Sequence, residues 1–454
     1  MSHSSARSYS SARTSSSASS SESLYFSDSS SYDSRSDDSN STLGTSVSSN
    51  ISDESVYNID LHGHTINNYN VIVKLGKGSY SYVWLVYSVR DSKYYAMKVQ
   101  NPEDYDDGMD EINILKKISS KESYLNGMIE YFIETRIREN DNSITDKFIC
   151  SVYNLCAGNL DGIARKGNYN NGYPIPIVKQ MLKQICKGLH TVHTKLNGFH
   201  GDIKPDNILL CGINMRDKKY IQLYEEANFM QQYNDGKNKY MVENKKSKLS
   251  SKEKLEIRMK IHKNIIESMP EIEESMYTVD DIYIKNPHIK ITDFGFYCNN
   301  NEKFNESFGT RYYQAPEILL MSDCTNRVDV WALGCMLYEL VTGNILFDPD
   351  KSSRGTIDFN HFEMMINLCG EFNPKTFTKN KRSELYFNKE CKLNNIIYTM
   401  DQDESTKYKL LNKLKEHEIK DSVLCDLLDS MLKLSPKHRI DINGILNHKW
   451  LSST

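Results

Sequence analysis

No stretch of about 18 consecutive apolar residues occurs in this chain of 454, so a transmembrane helix is not expected. The first residues lack the apolar core of a signal peptide, and Ser2 stands where N-myristoylation needs glycine. The ten cysteines include no Cys-x-x-Cys pair, which speaks against a zinc site and for reduced thiols. Neither sign of charge is in large excess. The formal net charge of −4 argues against a general nucleic-acid coat or a polybasic membrane anchor. Together these absences predict an intracellular protein, cytoplasmic, nuclear or both, that is not secreted and has no membrane partner. The length leaves room for two or three domains, or for one large enzyme domain with extensions.

Aliphatic residues are nearly missing from residues 1–55, which are close to half serine. Such a composition cannot bury enough apolar surface to offset the entropy of ordering, so a disordered tail is expected. Arg-Ser and Ser-Arg neighbours occur at Arg7-Ser8 and Ser34-Arg35-Ser36. An inert low-complexity tail and a phosphoacceptor tail both fit this pattern.

Order is expected from Tyr69 onward. Val71-Ile72-Val73-Lys74-Leu75 and Tyr82-Val83-Trp84-Leu85-Val86-Tyr87 are rich in β-branched and aromatic residues and read as strands. Gly76-Lys77-Gly78-Ser79-Tyr80-Ser81 lies between them. A strand, a glycine turn and a strand can lower backbone N–H groups onto ATP phosphates, because a Cβ at the turn would hold the ligand off. A plain β-turn is the blander alternative. The next strand, Tyr94-Tyr95-Ala96-Met97-Lys98-Val99, carries one lysine inside an apolar run, and a buried lysine needs a partner. The helical pattern Met109-Asp110-Glu111-Ile112-Asn113-Ile114-Leu115 offers Glu111, with Asp110 as the adjacent alternative. Phe148 to Tyr153 is a further β-like run. From Ile177 to about Thr194, apolar residues recur at helical spacing: Val178, Met181, Leu182, Ile185, Leu189 and Val192.

His200-Gly201-Asp202-Ile203-Lys204-Pro205-Asp206-Asn207 then places an acid, a cation and an amide at short fixed offsets between two hydrophobic runs. Phosphoryl transfer from ATP asks for that set. Asp202 would accept or orient the substrate hydroxyl proton, Lys204 would neutralise the moving γ-phosphoryl group, and Asn207 would hold magnesium. The octet resembles the catalytic loop of a eukaryotic-type protein kinase. Such kinases reach a metal-binding Asp-Phe-Gly roughly a dozen residues later. Here Asp293-Phe294-Gly295 comes much further on. Residues 215–284 form a polar, Lys-rich spacer expected to loop out from the surface. Its stretch from Leu255 to Ile266 is compatible with a helix. Its Lys245-Lys246-Ser247-Lys248 cluster fits a nuclear-import signal or a solvated charge run.

The resemblance implies an α+β, bilobal protein-kinase fold over residues 69–451. It would have a β-rich N-lobe, a helical C-lobe, and the spacer inserted in the C-lobe. It implies ATP and Mg2+ as cofactors. Leu75, Gly76, Lys77, Gly78, Ser79, Tyr80, Ser81, Tyr82, Val83 and Ala96 would enclose the nucleotide. Lys98, paired with Glu111, would hold its phosphates. Asn154 and Cys156 would offer backbone hydrogen bonds to the purine, behind Tyr153 as gatekeeper. Asn207 and Asp293 would hold the metal. Asp329, in Asp329-Val330-Trp331-Ala332-Leu333-Gly334, would anchor the catalytic-loop backbone. Glu317, in Ala315-Pro316-Glu317, would pair with Arg439. His193 is read as a structural histidine.

Within that fold the chain is similar to the SR-protein kinases, which phosphorylate serines in Arg-Ser repeats. The likeness rests on several local phrases: Leu75 to Leu85 with Ser81 in place of a third glycine, Asp110-Glu111-Ile112, and Tyr173-Pro174-Ile175-Pro176-Ile177-Val178-Lys179. The missing arginine before Asp202 and the phrase Leu346-Phe347-Asp348-Pro349 with Asp358, His361 and Gly370 add to it. It implies an Arg/Ser-rich protein substrate. Two departures stand out. Two of the docking acids of that family fall on Asn360 and Asn367, and Gln314 replaces an arginine common in related kinases. A scaffold that binds without phosphoryl transfer is the alternative, although the full catalytic set is present. Nucleic acid is not expected as a partner, since the Ser-rich tail is not strongly basic and shows no interleaved aromatics. A monomer is the default.

Overall fold

The computed structural model describes residues 60–452 except 79, 120, 122, 139–140, 168, 274–276, 301–306, 351–355, 372 and 378–381. The Ser-rich tail and Ser79 lie outside the described residues. Order starts earlier than Tyr69: Leu61 and Ile66 are already buried.

Alternating β-branched and aromatic residues build one antiparallel sheet. Its strands are β1 (Thr65–Ile66), β2 (Tyr69–Lys77), β3 (Ser81–Ser88), β4 (Lys93–Gln100), β5 (Glu130–Arg138) and β6 (Asp141–Tyr153). Their order is β1-β2-β3-β4-β6-β5. Helix α1 (Tyr105–Leu115) follows β4 and turns Ile112, Ile114 and Leu115 inward. This is the strand-rich lobe.

Past the connecting residues, β7 (Cys156–Asn159) leads into α2 (Leu160–Lys166) and the long α3 (Ile175–Thr194). Each of the six apolar α3 positions named above is fully buried. Gly188 on the same face admits the Ile291 side chain, which a Cβ would meet at 2.8 Å. Then β8 (Gly198–Phe199), β9 (Ile208–Cys211), β10 (Ile289–Ile291) and β11 (Cys298–Asn299) form two small sheets, β10-β9-β7 and β11-β8. They bracket the catalytic octet. The helix Arg327–Thr342 is buried almost throughout and forms the floor beneath it.

The insert departs from the sequence expectation. It does not loop out. It folds as α4 (Met215–Glu226), α5 (Phe229–Glu243) and α6 (Ser251–Ser268). Asn214, Asn228 and a Ser250–Glu253 capping box start the three helices. Tyr220, Tyr224, Phe229, Ile265 and Ile266 pack on Ile72, Leu85 and Tyr87 of the N-lobe sheet. The reason lies at the sheet edge. β1 and the Gly63–His64 backbone pair only with Tyr69 to Val71, so β2 beyond Val71 is an edge strand. Insert side chains add hydrogen bonds at the start of this strand. Arg258 donates to the Asn67 and Tyr69 carbonyls at 2.8 and 3.2 Å and to the Asn70 side-chain oxygen at 3.0 Å. His262 Nε2 donates to the Val71 carbonyl at 3.0 Å. Its Nδ1 accepts from Tyr224 Oη at 3.1 Å, which in turn accepts from Asn70 Nδ2 at 2.9 Å.

Burial pushes the His262 imidazole down to about 4. A folded value below the unfolded one means stability that is present above about pH 6.5 and lost as pH falls toward 4. The linkage is on the order of 3 kcal/mol at the acid end. His361, buried and pushed down to about 3, acts in the same direction. We therefore expect His262→Gln to give a shallower fall in Tm between pH 6.5 and 4 than wild type. Parallel melting curves would count against this assignment.

Candidate active site

The octet is fixed from below by one carboxylate. Asp329 Oδ2 accepts from the His200 amide at 2.9 Å, and Oδ1 accepts from the Gly201 amide at 2.9 Å. His193 Nε2 lies 2.8 Å from the same Oδ2. Burial alone would raise the Asp329 carboxyl, but His193 and the amides hold it below its ordinary value. The His200 ring reaches the Thr292 carbonyl at 3.0 Å, and the Thr292 amide returns to the Asn207 carbonyl at 3.0 Å. Catalytic loop and Asp293 strand are thereby laced together.

Asp202 is almost fully buried, at 4% exposure. Its Oδ2 faces Lys204 Nζ at 3.0 Å and accepts from Asn207 Nδ2 at 3.1 Å. Its Oδ1 accepts from the Thr310 amide at 2.7 Å, and Lys204 Nζ also donates to Thr310 Oγ1 at 2.6 Å. Burial opposes the Lys204 charge, but Asp202 outweighs it and raises the ammonium.

Across the cleft, Lys98 Nζ donates to Glu111 Oε2 at 2.8 Å and lies 3.7 Å from Asp293 Oδ1. Of the two neighbouring acids in α1, Glu111 is thus the one that meets the lysine. Burial would lower Lys98, yet the two carboxylates hold it well above its ordinary value. Asp293 has a left-handed backbone, φ +65°, which turns its carboxylate to the cleft. Burial would raise it, but Lys98, His200 and Lys204 keep it low. Asp293 and Asn207 offer hard oxygen donors, the ligand type Mg2+ prefers alongside water and phosphate.

Register carries the glycine turn to this point. Gly76 pairs with Val83, Val83 with Lys98, and Ala96 with both Leu85 and Tyr153. Gly78 closes the turn by donating to the Ser81 carbonyl at 2.8 Å. Tyr80 is exposed at the tip, and Lys77 places its ammonium 5.9 Å from the Tyr82 ring centre. Leu75 is partly buried and packs against the insert core. Asn154 is exposed between β6 and β7, and Cys156 opens β7 opposite Cys211.

Some roles emerge only in three dimensions. Gln314 Nε2 donates to Ser307 Oγ at 3.0 Å and to the Phe308 and Gly309 carbonyls at 2.9 and 3.0 Å. It pins the segment that carries Thr310. Gly201 has φ +84°, and a Cβ there would fall 2.5 Å from the Phe296 carbonyl oxygen. The missing side chain is thus matched to the backbone. Asn367 is buried. Its Nδ2 donates to the Glu363 and Ile397 carbonyls, and its Oδ1 accepts from Thr399. Asn360 accepts from the Asp350 amide. Both amides are engaged by their own chain.

The protein kinase domain family matches residues 69–224 and 279–451, well over half of the chain, and the break falls inside the insert. The chain belongs to the protein kinase family. Its similar relatives include the serine/threonine-protein kinase SRPK of Physarum polycephalum, 28% identical over 85% of this chain and 86% of that one. The protein kinase dsk1 of Schizosaccharomyces pombe is 24% identical over 84% and 80%. The human SRSF protein kinase 3 is 23% identical over 85% and 86%. This kinase is of the serine/threonine class, and it is similar to the SR-protein kinases. No described helix is long and apolar enough to cross a membrane.

The kinase also carries a structural ion pair in its C-lobe. Arg439 Nη1 and Nη2 donate to Glu317 Oε1 and Oε2 at 2.5 and 2.7 Å, with both side chains buried. Removing one partner strands a buried charge. We expect Glu317→Ala to cost about 3–5 kcal/mol in denaturant unfolding. Glu317→Ala with Arg439→Met should recover part of that loss. A near-neutral single variant would show that the pair is dispensable.

Proposed function

We propose that this kinase transfers the γ-phosphoryl group of ATP, with Mg2+, to serine or threonine hydroxyls of intracellular proteins. One observation supports this most. The Asp202 carboxylate is held by Lys204, Asn207 and the Thr310 amide, opposite Lys98, Glu111 and Asp293. Asp202 orients the attacking hydroxyl and receives its proton. Lys204 offsets charge on the moving phosphoryl group. Lys98, steadied by Glu111, holds the phosphates, while the glycine-turn amides cover them. Asn207 and Asp293 would hold the metal, which supplies charge neutralisation when bound. The work is positioning and electrostatics.

The substrate reading extends to Arg/Ser-rich proteins on the likeness to kinases named for SR substrates. Asn360 and Asn367 supply no negative charge, so attraction to arginine is expected to be weaker than carboxylates at these positions would give. The test is transfer from labelled ATP and Mg2+ to an Arg-Ser-repeat peptide, a generic basic protein and an acidic protein, with wild type and Asp202→Ala. Transfer that drops at least ~100-fold in the variant and favours the Arg-Ser peptide is expected. Asp202-dependent transfer without that preference would discard the substrate class. ATP binding with no transfer to any substrate would favour a scaffold.

In related kinases an arginine at the position of Gly201 receives a phosphate from the activation segment, which ends at Ala315-Pro316-Glu317; here there is none, and Gln314 already holds Phe308 and Gly309 of that segment. We expect Ser307→Ala to keep most of its activity after phosphatase treatment. Activity that tracks segment phosphorylation would overturn this.

A further inference from the structure

The insert does more than cover the edge of the sheet. Its two ends meet at one carbonyl. Asn214 Nδ2 donates to Ala157 O at 3.0 Å, and Tyr277 Oη donates to the same oxygen at 3.0 Å. Asn214 and Val279 bridge as antiparallel partners, and the Met215 amide donates to the Thr278 carbonyl at 2.9 Å. Ala157 lies in β7, directly after the segment that joins the lobes. The root of the insert is therefore tied to the wall of the nucleotide cleft.

The first turn of α4 then reaches to the roof. Asn214 Nδ2 also donates to Asp217 Oδ2 at 2.7 Å, and the Asp217 amide returns to Asn214 Oδ1 at 2.9 Å. Asp217 Oδ1 lies 3.9 Å from Arg216 Nε. Arg216 Nη2 donates to the Lys74 carbonyl at 2.5 Å. The Arg216 side chain is only 12% exposed. Lys74 stands immediately before the Leu75-Gly76 start of the glycine turn. Lys74 still pairs with Trp84, and the β2–β3 register shifts directly after it, at Leu75. The charge-assisted donor thus holds the residue that borders the irregularity.

We infer that Arg216 is a positioning residue for the nucleotide, which ties the base of the glycine turn to the cleft wall through Asp217 and Asn214. The inference rests on the reading that ATP binds beneath that turn. Arg216 touches neither substrate nor the reacting atoms. It sets how far the turn stands from the wall, and so how closely the turn amides approach the phosphates.

The test uses the full chain and Mg-ATP. KM for ATP, KM for protein substrate and kcat are measured for wild type, Arg216→Ala, Arg216→Lys and Asn214→Ala. Lys263→Ala, on the exposed side of α6, serves as control. Direct binding of a fluorescent ATP analogue and Tm are measured beside them. Loss of one charge-assisted hydrogen bond should raise KM and Kd for ATP roughly three- to tenfold in Arg216→Ala. KM for protein substrate should stay near wild type. Arg216→Lys should recover part of the affinity, because an ammonium can still donate to the carbonyl. Combining Arg216→Ala with Asn214→Ala should raise Kd less than the product of the single effects. Unchanged nucleotide affinity in Arg216→Ala overturns the inference. So does a rise in both KM values that follows Tm across the series. Where wild type binds the analogue but transfers nothing, the catalytic reading fails and the binding arm still decides on Arg216. Wild type that binds no nucleotide overturns both.

Discussion

A buried carboxylate that binds backbone underlies the candidate active site. Asp329 sits on a helix with almost no solvent contact and holds two successive amides of the catalytic octet. A charge there is tolerated because His193 and two N–H groups replace the water it gives up. The direction of the loop follows from those two amides. Asp202, Lys204 and Asn207 then fall on one side of it. The Asp293 strand is attached to the same loop through His200 and Thr292. Both sides of the cleft floor thus share one anchor in the core.

The roof has a different logic. It is a thin antiparallel sheet with a long edge strand, and most proteins must blunt such an edge. Here three helices do so with a cationic side chain and a neutral imidazole as well as with aromatic packing. The three helices cover the edge without adding a strand of their own. The lobe gains a second small core.

Much of this was legible in the residue order. The catalytic octet, the lysine strand and Asp293-Phe294-Gly295 are contiguous phrases, and their chemistry is written in side chains at fixed offsets. The six-position stripe of α3 was equally plain, since its buried face is wholly apolar. The insert was not. The buried face of α6 contains Arg258 and His262 beside Ile265 and Ile266, so it carries no clean apolar period. A polar reading of that segment is correct residue by residue and still gives the wrong surface. Asn367 misleads in the opposite sense. Its position suggests a surface groove, but its amide is consumed in holding residues 397–400. Backbone partners leave no trace in sequence, and for the same reason Gln314 could be noticed only as a departure.

The meeting of both insert ends at the Ala157 carbonyl has a topological consequence. Residues 214 and 279 already lie side by side, so the segment between them can lengthen, shorten or be exchanged without moving the strands it leaves and rejoins. Chain connectivity imposes nothing on its size. What limits it is wetting: Ile72, Leu85 and Tyr87 would meet water without a cover. The segment is open to replacement in covalent terms, yet it is held in place by the surface it keeps dry.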